Sequence, residues 1–370
     1  MDKDIAARLD EAMREYELDA LISYSKENIA YGLGYTIPSQ ALNVRDRQFA
    51  LAVNQDGEAA LLLTANEVDE ARSRGDIDDL RPYEELTDDP MQVLAGALRD
   101  LGVERHRIGI ELDVIPVQWF ERLKRMLPDA TFVAGRAALQ HARRIKTPCE
   151  IEKLRNAARI ADIAQADAHS EIRVGMTERD VYRLIVDRCL GYGADEVLLV
   201  QVAATERSAY SNPTPTDRVL RRGDVLKIDV FVSVAGYVSD TGRWIVMGEA
   251  SPRHREVWAR MQETMDRIHE AIRPGVEAGS VWTTFADEFA RHDMKPAIKF
   301  LGHGLGLGLH EDPFIAADVT APLEQGMVLA VEPIFREGEI GYHFEDDVLV
   351  TSDGMENLTG RLGRDILVLG

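Results

Sequence analysis

The sequence predicts two domains, an α/β layer over residues 1–140 and a larger domain of long helices and strand runs over 141–370. Length supports two: 370 residues stand against roughly 100–200 per domain. Up to about residue 140, strand-length apolar runs alternate with stretches of helical spacing. Beyond it a helix-capping motif opens a region where carboxylates interrupt otherwise apolar strands.

In the first domain, residues 5–16 carry Ile, Leu and Met at helical spacing, and Ala20-Leu-Ile-Ser-Tyr24 reads as a short strand. Phe49-Ala-Leu-Ala-Val53 and Ala59-Ala-Leu-Leu-Leu63 are two more strands, joined across Asn54-Gln-Asp-Gly57, a hairpin signal. Residues 107–111 predict a strand, and 116–126 a helix stopped by Pro128. In the second domain Thr147-Pro148-Cys149-Glu150 has a Thr cap, Pro at the first helical position and Glu three residues after the cap. It predicts a helix through residue 163. Thr177-Glu-Arg-Asp180 repeats that logic for a helix ending near Gly191. Strands are expected over 197–203, 225–232 and 237–247, a helix from Ser251-Pro252 to about 272, a further helix after Ser280, and a β-rich final third.

Composition narrows the function. With 45% apolar residues the chain can bury cores, and no run approaches the ~18 apolar residues of a membrane helix. The start, Met1-Asp-Lys-Asp-Ile, lacks the layout of a signal peptide, so a cytoplasmic protein is expected. A net charge of −21 repels phosphate backbones and anionic lipids, which disfavours nucleic-acid and membrane partners. Two cysteines, Cys149 and Cys189, in no C-x-x-C arrangement, make neither a disulfide scaffold nor a thiolate zinc site. Cys189 reads as a small buried hydrophobe.

The informative residues lie on second-half strands. Asp229 interrupts Lys227-Ile-Asp-Val-Phe231, and Asp240 follows eleven residues later, with Val234-Ala-Gly236 as a tight turn between them. A hairpin there sets the two aspartates beside each other, and paired carboxylates in low dielectric repel unless one protonates or a cation lies between them. Downstream, Val331-Glu332-Pro333 ends a buried-looking strand, and thirteen residues on comes Glu345 in His343-Phe-Glu-Asp346. Between the acidic pairs runs Gly302-His303-Gly-Leu-Gly-Leu-Gly-Leu-His310-Glu311, whose four glycines allow close backbone approach around an imidazole. Taken singly, each Asp is an ordinary turn residue, each His an ordinary surface or core His, and Gly-x-Gly-x-Gly is weak. Jointly, four carboxylates and a histidine on four strand-like segments match a hard-cation site with O and N ligands. Their charge of −4 is balanced by two divalent ions, which predicts a dinuclear centre. A two-carboxylate glycosidase site leaves the surplus unexplained. His106, His141, His169, His254, His269 and His292 have no partner motif and read as structural.

This arrangement resembles the pita-bread family of methionine aminopeptidase, aminopeptidase P, prolidase and creatinase, over both domains. The resemblance implies a creatinase-like α/β amino-terminal domain and an α+β pita-bread catalytic domain. Asp229, Asp240, His303 in Gly-His-Gly-x-Gly-Leu, Glu332 in Val-Glu-Pro and Glu345 in Phe-Glu-Asp match the family's five ligands. Creatinase itself is metal-free, so the complete set points to the metal-dependent branch. By that resemblance Asp240 and Glu345 would bridge two ions, Asp229 completing one position and His303 with Glu332 the other. Manganese is the first choice, with cobalt, iron or zinc acceptable. Glu332 would take a proton from the attacking water and return it to the leaving nitrogen, and His310 would donate a hydrogen bond to the substrate carbonyl or oxyanion. A homodimer is also implied, with residues such as 35–47 contributing to the pocket wall.

Four positions depart from the family. A substrate-contacting histidine is replaced by Asn212, which still donates a hydrogen bond but carries no proton. Lys299 stands where another histidine is frequent and could hold a substrate carboxylate, His343 where an arginine is usual, and Gly242 where a threonine is common. Asn212, Lys299, His310 and His343 are therefore the expected substrate-side residues, Asn212 also being a catalytic candidate. The expected function is dinuclear hydrolysis of a C–N amide bond, in an Xaa-Pro dipeptide or a small non-peptide amide as in ectoine hydrolase. The alternatives are metal-dependent elimination of the dimethylsulfoniopropionate lyase type and a non-catalytic binding protein.

Overall fold

The computed structural model describes every residue except Asn43, Arg45, Asp76, Arg361, Leu362 and Arg364. By contacts the chain divides into two compact units, Met1–Arg143 and Arg144–Gly370.

The first unit is built on a six-stranded sheet: β1 (Ala20–Ser23), β2 (Ala50–Asn54), β3 (Ala59–Thr64), β4 (Asp79–Tyr83), β5 (Arg107–Ile110) and β6 (Thr131–Ala134), in the order β4-β3-β2-β1-β5-β6. β1 is buried throughout, as an apolar run covered on both faces should be. The hairpin across Asn54–Gly57 forms antiparallel, with Gly57 at φ 79° and the Asn54 side chain accepting from the Glu58 N–H at 2.9 Å. Helices Lys26–Leu33, Val68–Arg74 and Pro90–Asp100 and strands β4 and β6 were not anticipated. Lys26–Leu33 nevertheless carries both its end signals, the Ser25 cap and Gly34 at φ 77°. β4 is an edge strand, which is where a strand tolerates Pro82. Within 35–47, the described backbone includes the 3-10 turn Pro38–Leu42, and Asn43 and Arg45 lie outside the described residues.

The second unit holds strands β7 (Glu196–Ala204), β8 (Val225–Val234), β9 (Tyr237–Met247), β10 (Phe300–Gly304), β11 (Glu311–Ala316), β12 (Val328–Val331), β13 (Ile334–Glu337), β14 (Ile340–His343), β15 (Asp346–Val350), β16 (Met355–Asn357) and β17 (Val368–Leu369). One sheet runs β17-β9-β8-β7 and another β11-β10-β12-β15-β16, with β13-β14 as a separate ribbon. Helix Pro148–His169 opens with the expected capping box and runs on to His169, because Ala164, Gln165 and Ala168 extend its buried stripe. Helix Ala278–Arg291 begins before Ser280, with Glu277 at the N-cap position and no side-chain capping hydrogen bond.

Alternation along β8 sorts its side chains. Leu226, Ile228, Val230 and Val232 join one apolar core, which includes Cys189 and helices Pro148–His169 and Glu178–Gly191. Val225 joins the other core with Trp244, Leu329 and Val348, which helices Pro252–Ala271 and Ala278–Arg291 complete. Lys227 and Asp229 share Val225's side of the strand, and Asp240 and Gly242 share Trp244's. The cluster described next therefore lies between the two sheets, on a floor made by one core and beside the other.

Candidate metal centre

The turn at Ala235-Gly236 has both residues at positive φ, 50° and 81°, and closes the hairpin of β8 and β9. Its register pairs Asp229 with Gly242 and Phe231 with Asp240. The two aspartates are thus diagonal neighbours on one face. His303 lies on β10, which pairs with β12 so that His303 faces Ala330, and Glu332 follows the last residue of β12. Glu345 lies between two strands, β14 and β15, which are interrupted at Phe344-Glu345. At the interruption Glu345 exchanges backbone hydrogen bonds with Gly242, its N–H donating at 2.9 Å and its carbonyl accepting at 3.3 Å.

These elements bring Asp229, Asp240, His303, Glu332 and Glu345 together, and His343 with them. His303 Nε2 stands 3.8 Å from Asp240 Oδ2 and 3.9 Å from Glu332 Oε1. Its Nδ1 lies 3.1 Å from the Gly304 carbonyl, which holds the ring with Nε2 toward the carboxylates. One ligand atom each from Asp240, His303 and Glu345 lies within 4.8 Å of the others, and the same is true of Asp229, His343 and Glu345. Glu345 belongs to both groups.

The electrostatics show how unfavourable negative charge is in this cluster without cations. Burial, and then the charge on Glu345, raise Asp229 to about 7 and Glu332 to about 7. Burial and Asp347 raise Glu345 to about 8, and burial with Glu345 pushes Asp240 well above its ordinary range. Asp229 Oδ1 and Asp240 Oδ1 are buried with no hydrogen-bond partner among the described residues. Unpaired carboxylate oxygens beside an imidazole held near pKa 4, hence neutral, are a donor set that fits divalent ions.

The other expected residues are placed as follows. His310 is exposed, its ring 4.0 Å from that of His303 between centroids, and partial burial lowers its pKa. Asn212 is exposed and its Oδ1 accepts from Gln201 Nε2 at 3.0 Å, Gln201 being paired with Asp229 across β7 and β8. Lys299 is exposed just before β10. The glycines have different partners from those expected. A Cβ on Gly302 would stand 2.1 Å from the Ala330 carbonyl oxygen, one on Gly304 2.5 Å from that of Asp312, and one on Gly306 2.6 Å from the Glu311 carboxylate. They admit neighbouring backbone and Glu311 rather than the imidazole. Glu311 accepts from the Gly308 N–H at 2.8 Å and pairs with buried Lys146 at 3.2 Å.

Sequence reasoning missed several supports. Lys227, 3% exposed, donates to the Ser211 carbonyl at 3.1 Å, and its charge lowers the pKa of Asp229 and Glu345 against the effect of burial. The signal was present: a lysine two residues before Asp229 in a strand lies on the same face. Asp347 accepts from Ser239 Oγ at 2.6 Å and from the Asp240 N–H, anchoring β9 at Asp240. Arg243 pairs with Asp346 behind Glu345. His292, read as structural, has Glu263 and Glu288 for neighbours.

Comparison with known proteins matches residues 152–352 to "Metallopeptidase family M24". The chain belongs to metallopeptidase family M24. Residues 6–145 match the Creatinase/Prolidase N-terminal domain, so an M24 catalytic domain follows a creatinase-like one, as the resemblance implied. An Xaa-Pro dipeptidase of Lactobacillus helveticus is 29% identical over 344 residues, 90% of each chain. Among solved structures, an X-Pro aminopeptidase from Thermotoga maritima superposes with a TM-score of 0.85 at 26% identity, covering 98% of this chain and 99% of that one. An Xaa-Pro dipeptidase from Bacillus anthracis gives 0.85 at 25% identity, covering 99% of both. This M24 protein is a metal-dependent hydrolase of amide C–N bonds. No helix among its described residues is long and apolar enough to cross a membrane.

Proposed function

We propose that the protein hydrolyses Xaa-Pro dipeptides, using two divalent ions held by Asp229, Asp240, His303, Glu332 and Glu345, with manganese as the working metal. The observation that carries this is the convergence of those five side chains with carboxylate oxygens left unpaired. The Lactobacillus helveticus and Bacillus anthracis relatives, both Xaa-Pro dipeptidases, suggest the substrate class. Oxygen-rich ligation suits manganese. When bound, the ions neutralise the carboxylates and lend the Lewis acidity that water needs to attack an amide carbonyl.

The chain's own residues do the rest. Glu332, within reach of both imidazoles of the cluster, accepts a proton from the attacking water and returns it to the proline nitrogen as the bond breaks. His310, beside His303, donates to the oxyanion. Asn212 orients the substrate from its tether on Gln201. Lys299, exposed beside β10, meets the substrate carboxylate.

The test is a hydrolysis screen of the manganese-loaded enzyme against Ala-Pro, Gly-Pro, N-acetylated diamino acids, ectoine and anilides. Cleavage of the proline dipeptides, lost in Asp240→Ala, is expected. Turnover of a non-peptide amide alone would replace the substrate, and an alkene product without incorporation of solvent oxygen would replace hydrolysis with elimination.

A further inference from the structure

The cluster contains one imidazole more than the five proposed ligands. His343 ends β14, is 2% exposed, and has neither ring nitrogen in a hydrogen bond among the described residues. Buried imidazoles nearly always find a partner, so two orphaned nitrogens in one ring call for a reason. What they face is carboxylate. Nδ1 is 3.9 Å from Asp229 Oδ2, and Nε2 is 3.3 Å from Glu345 Oε2 and 3.6 Å from Glu332 Oε2. An imidazole binds an ion through one nitrogen, and one ligand atom each of His343, Asp229 and Glu345 lies within 4.8 Å of the other two, the spread of neighbouring donors about 2.1 Å from a shared metal.

Gly242 makes the room. A Cβ there would lie 2.8 Å from His343 Cε1 and 2.9 Å from Nδ1, closer than any side chain tolerates. Gly242 is absent from the positive-φ glycines, so its backbone does not require glycine. It pairs with Asp229 across the sheet and with Glu345 at the bridge, which sets the missing side chain between two proposed ligands of one ion. The vacancy is filled by the His343 ring.

We propose that His343 is a direct ligand of the ion held by Asp229 and Glu345, so that each of the two metal positions has one imidazole, His303 at one and His343 at the other. This rests on the dinuclear reading above. A neutral imidazole adds a donor without adding charge, so four carboxylates still balance two divalent ions. It also turns an all-oxygen position into a mixed one, which favours zinc and cobalt more than manganese.

The test uses the full chain, stripped by chelator and titrated with zinc, cobalt and manganese in a calorimeter, with X-ray absorption of the zinc-loaded protein. The wild type should bind two ions and show about one imidazole per zinc. His343→Gln should lose at least about tenfold in affinity at one position, more for zinc and cobalt than for manganese, and show about half an imidazole per zinc. Gly242→Ala keeps the histidine but drives the ring out of its place, while its methyl meets Glu345 Cβ less closely at 3.2 Å, so its loss of imidazole per zinc, rather than of affinity alone, is the reading. It serves as the independent reading if the glutamine variant fails to fold. Unchanged affinities and imidazole count in both variants, even with KM altered, would overturn the assignment and leave His343 on the substrate side. Wild-type protein that binds no ion, indistinguishable from Asp240→Ala, would overturn the dinuclear reading itself and this inference with it.

Discussion

Two buried acidic sites, one in each unit, solve the same problem in opposite ways. In the first unit Glu111 is 3% exposed and is surrounded by donors: the Tyr24 N–H at 2.6 Å, the Ser25 N–H at 2.8 Å, Ser25 Oγ at 3.2 Å and Asn28 Nδ2 at 2.7 Å. In the second, Asp229 and Asp240 are as deeply buried, yet each has an oxygen with no donor among the described residues. A charge removed from water is stable when hydrogen bonds or a counter-ion replace its hydration. Glu111 is stabilised by the fold itself and ties a strand end to a helix start. The central aspartates have no such set of donors, which is what the proposed metal site accounts for.

That contrast can be broken or sharpened by experiment. The largest effect is expected at the centre: Asp240→Ala should lower kcat/KM by at least about 10³, some 4 kcal/mol of barrier, measured on the manganese-loaded enzyme. Next, Glu111→Leu should cost about 3–5 kcal/mol, since it strands several buried donors, with urea unfolding and hydrogen exchange localising the loss to the first unit. An equal loss from Asp240→Asn in metal-free protein would erase the distinction, because there the substitution should relieve repulsion and stabilise. A third difference concerns pH. Asp229, Glu332 and Glu345 have folded values of about 7, 7 and 8, raised from ordinary values near 4. Because the folded state holds these protons more tightly, the stability they contribute is full below about pH 4 and is lost as pH rises through 7–8. Chelated protein should therefore drop in Tm by roughly several degrees between pH 5 and 8, and manganese should abolish the drop. The smallest expected change is Asn28→Ala, which removes one donor from Glu111 and should cost about 1 kcal/mol in urea unfolding without altering kcat/KM.

How much of this was legible depended on whether a signal was local. Asp229, Asp240, Glu332 and Glu345 each break an apolar strand pattern, and that break is visible in a handful of residues. The capping boxes at Thr147 and Thr177 are equally local. Strand β4, Asp79-Leu-Arg-Pro-Tyr83, was missed because an edge strand needs no apolar alternation and hides behind its charges and proline. Lys227 was legible by alternation and went unread. The pairing of Gly242 with His343 had no local signal: each departs from the family pattern a hundred residues from the other, and only the bridge at Glu345 shows that one fills the space of the other.

The seam at Glu345 has a mechanical consequence. Its amide and carbonyl fasten the short acidic segment to the hairpin of the other sheet, while its carboxylate points at the place where ions would sit. One residue is thus both rivet and electrode. A cation held by that carboxylate would be tied to both sheets through a single residue.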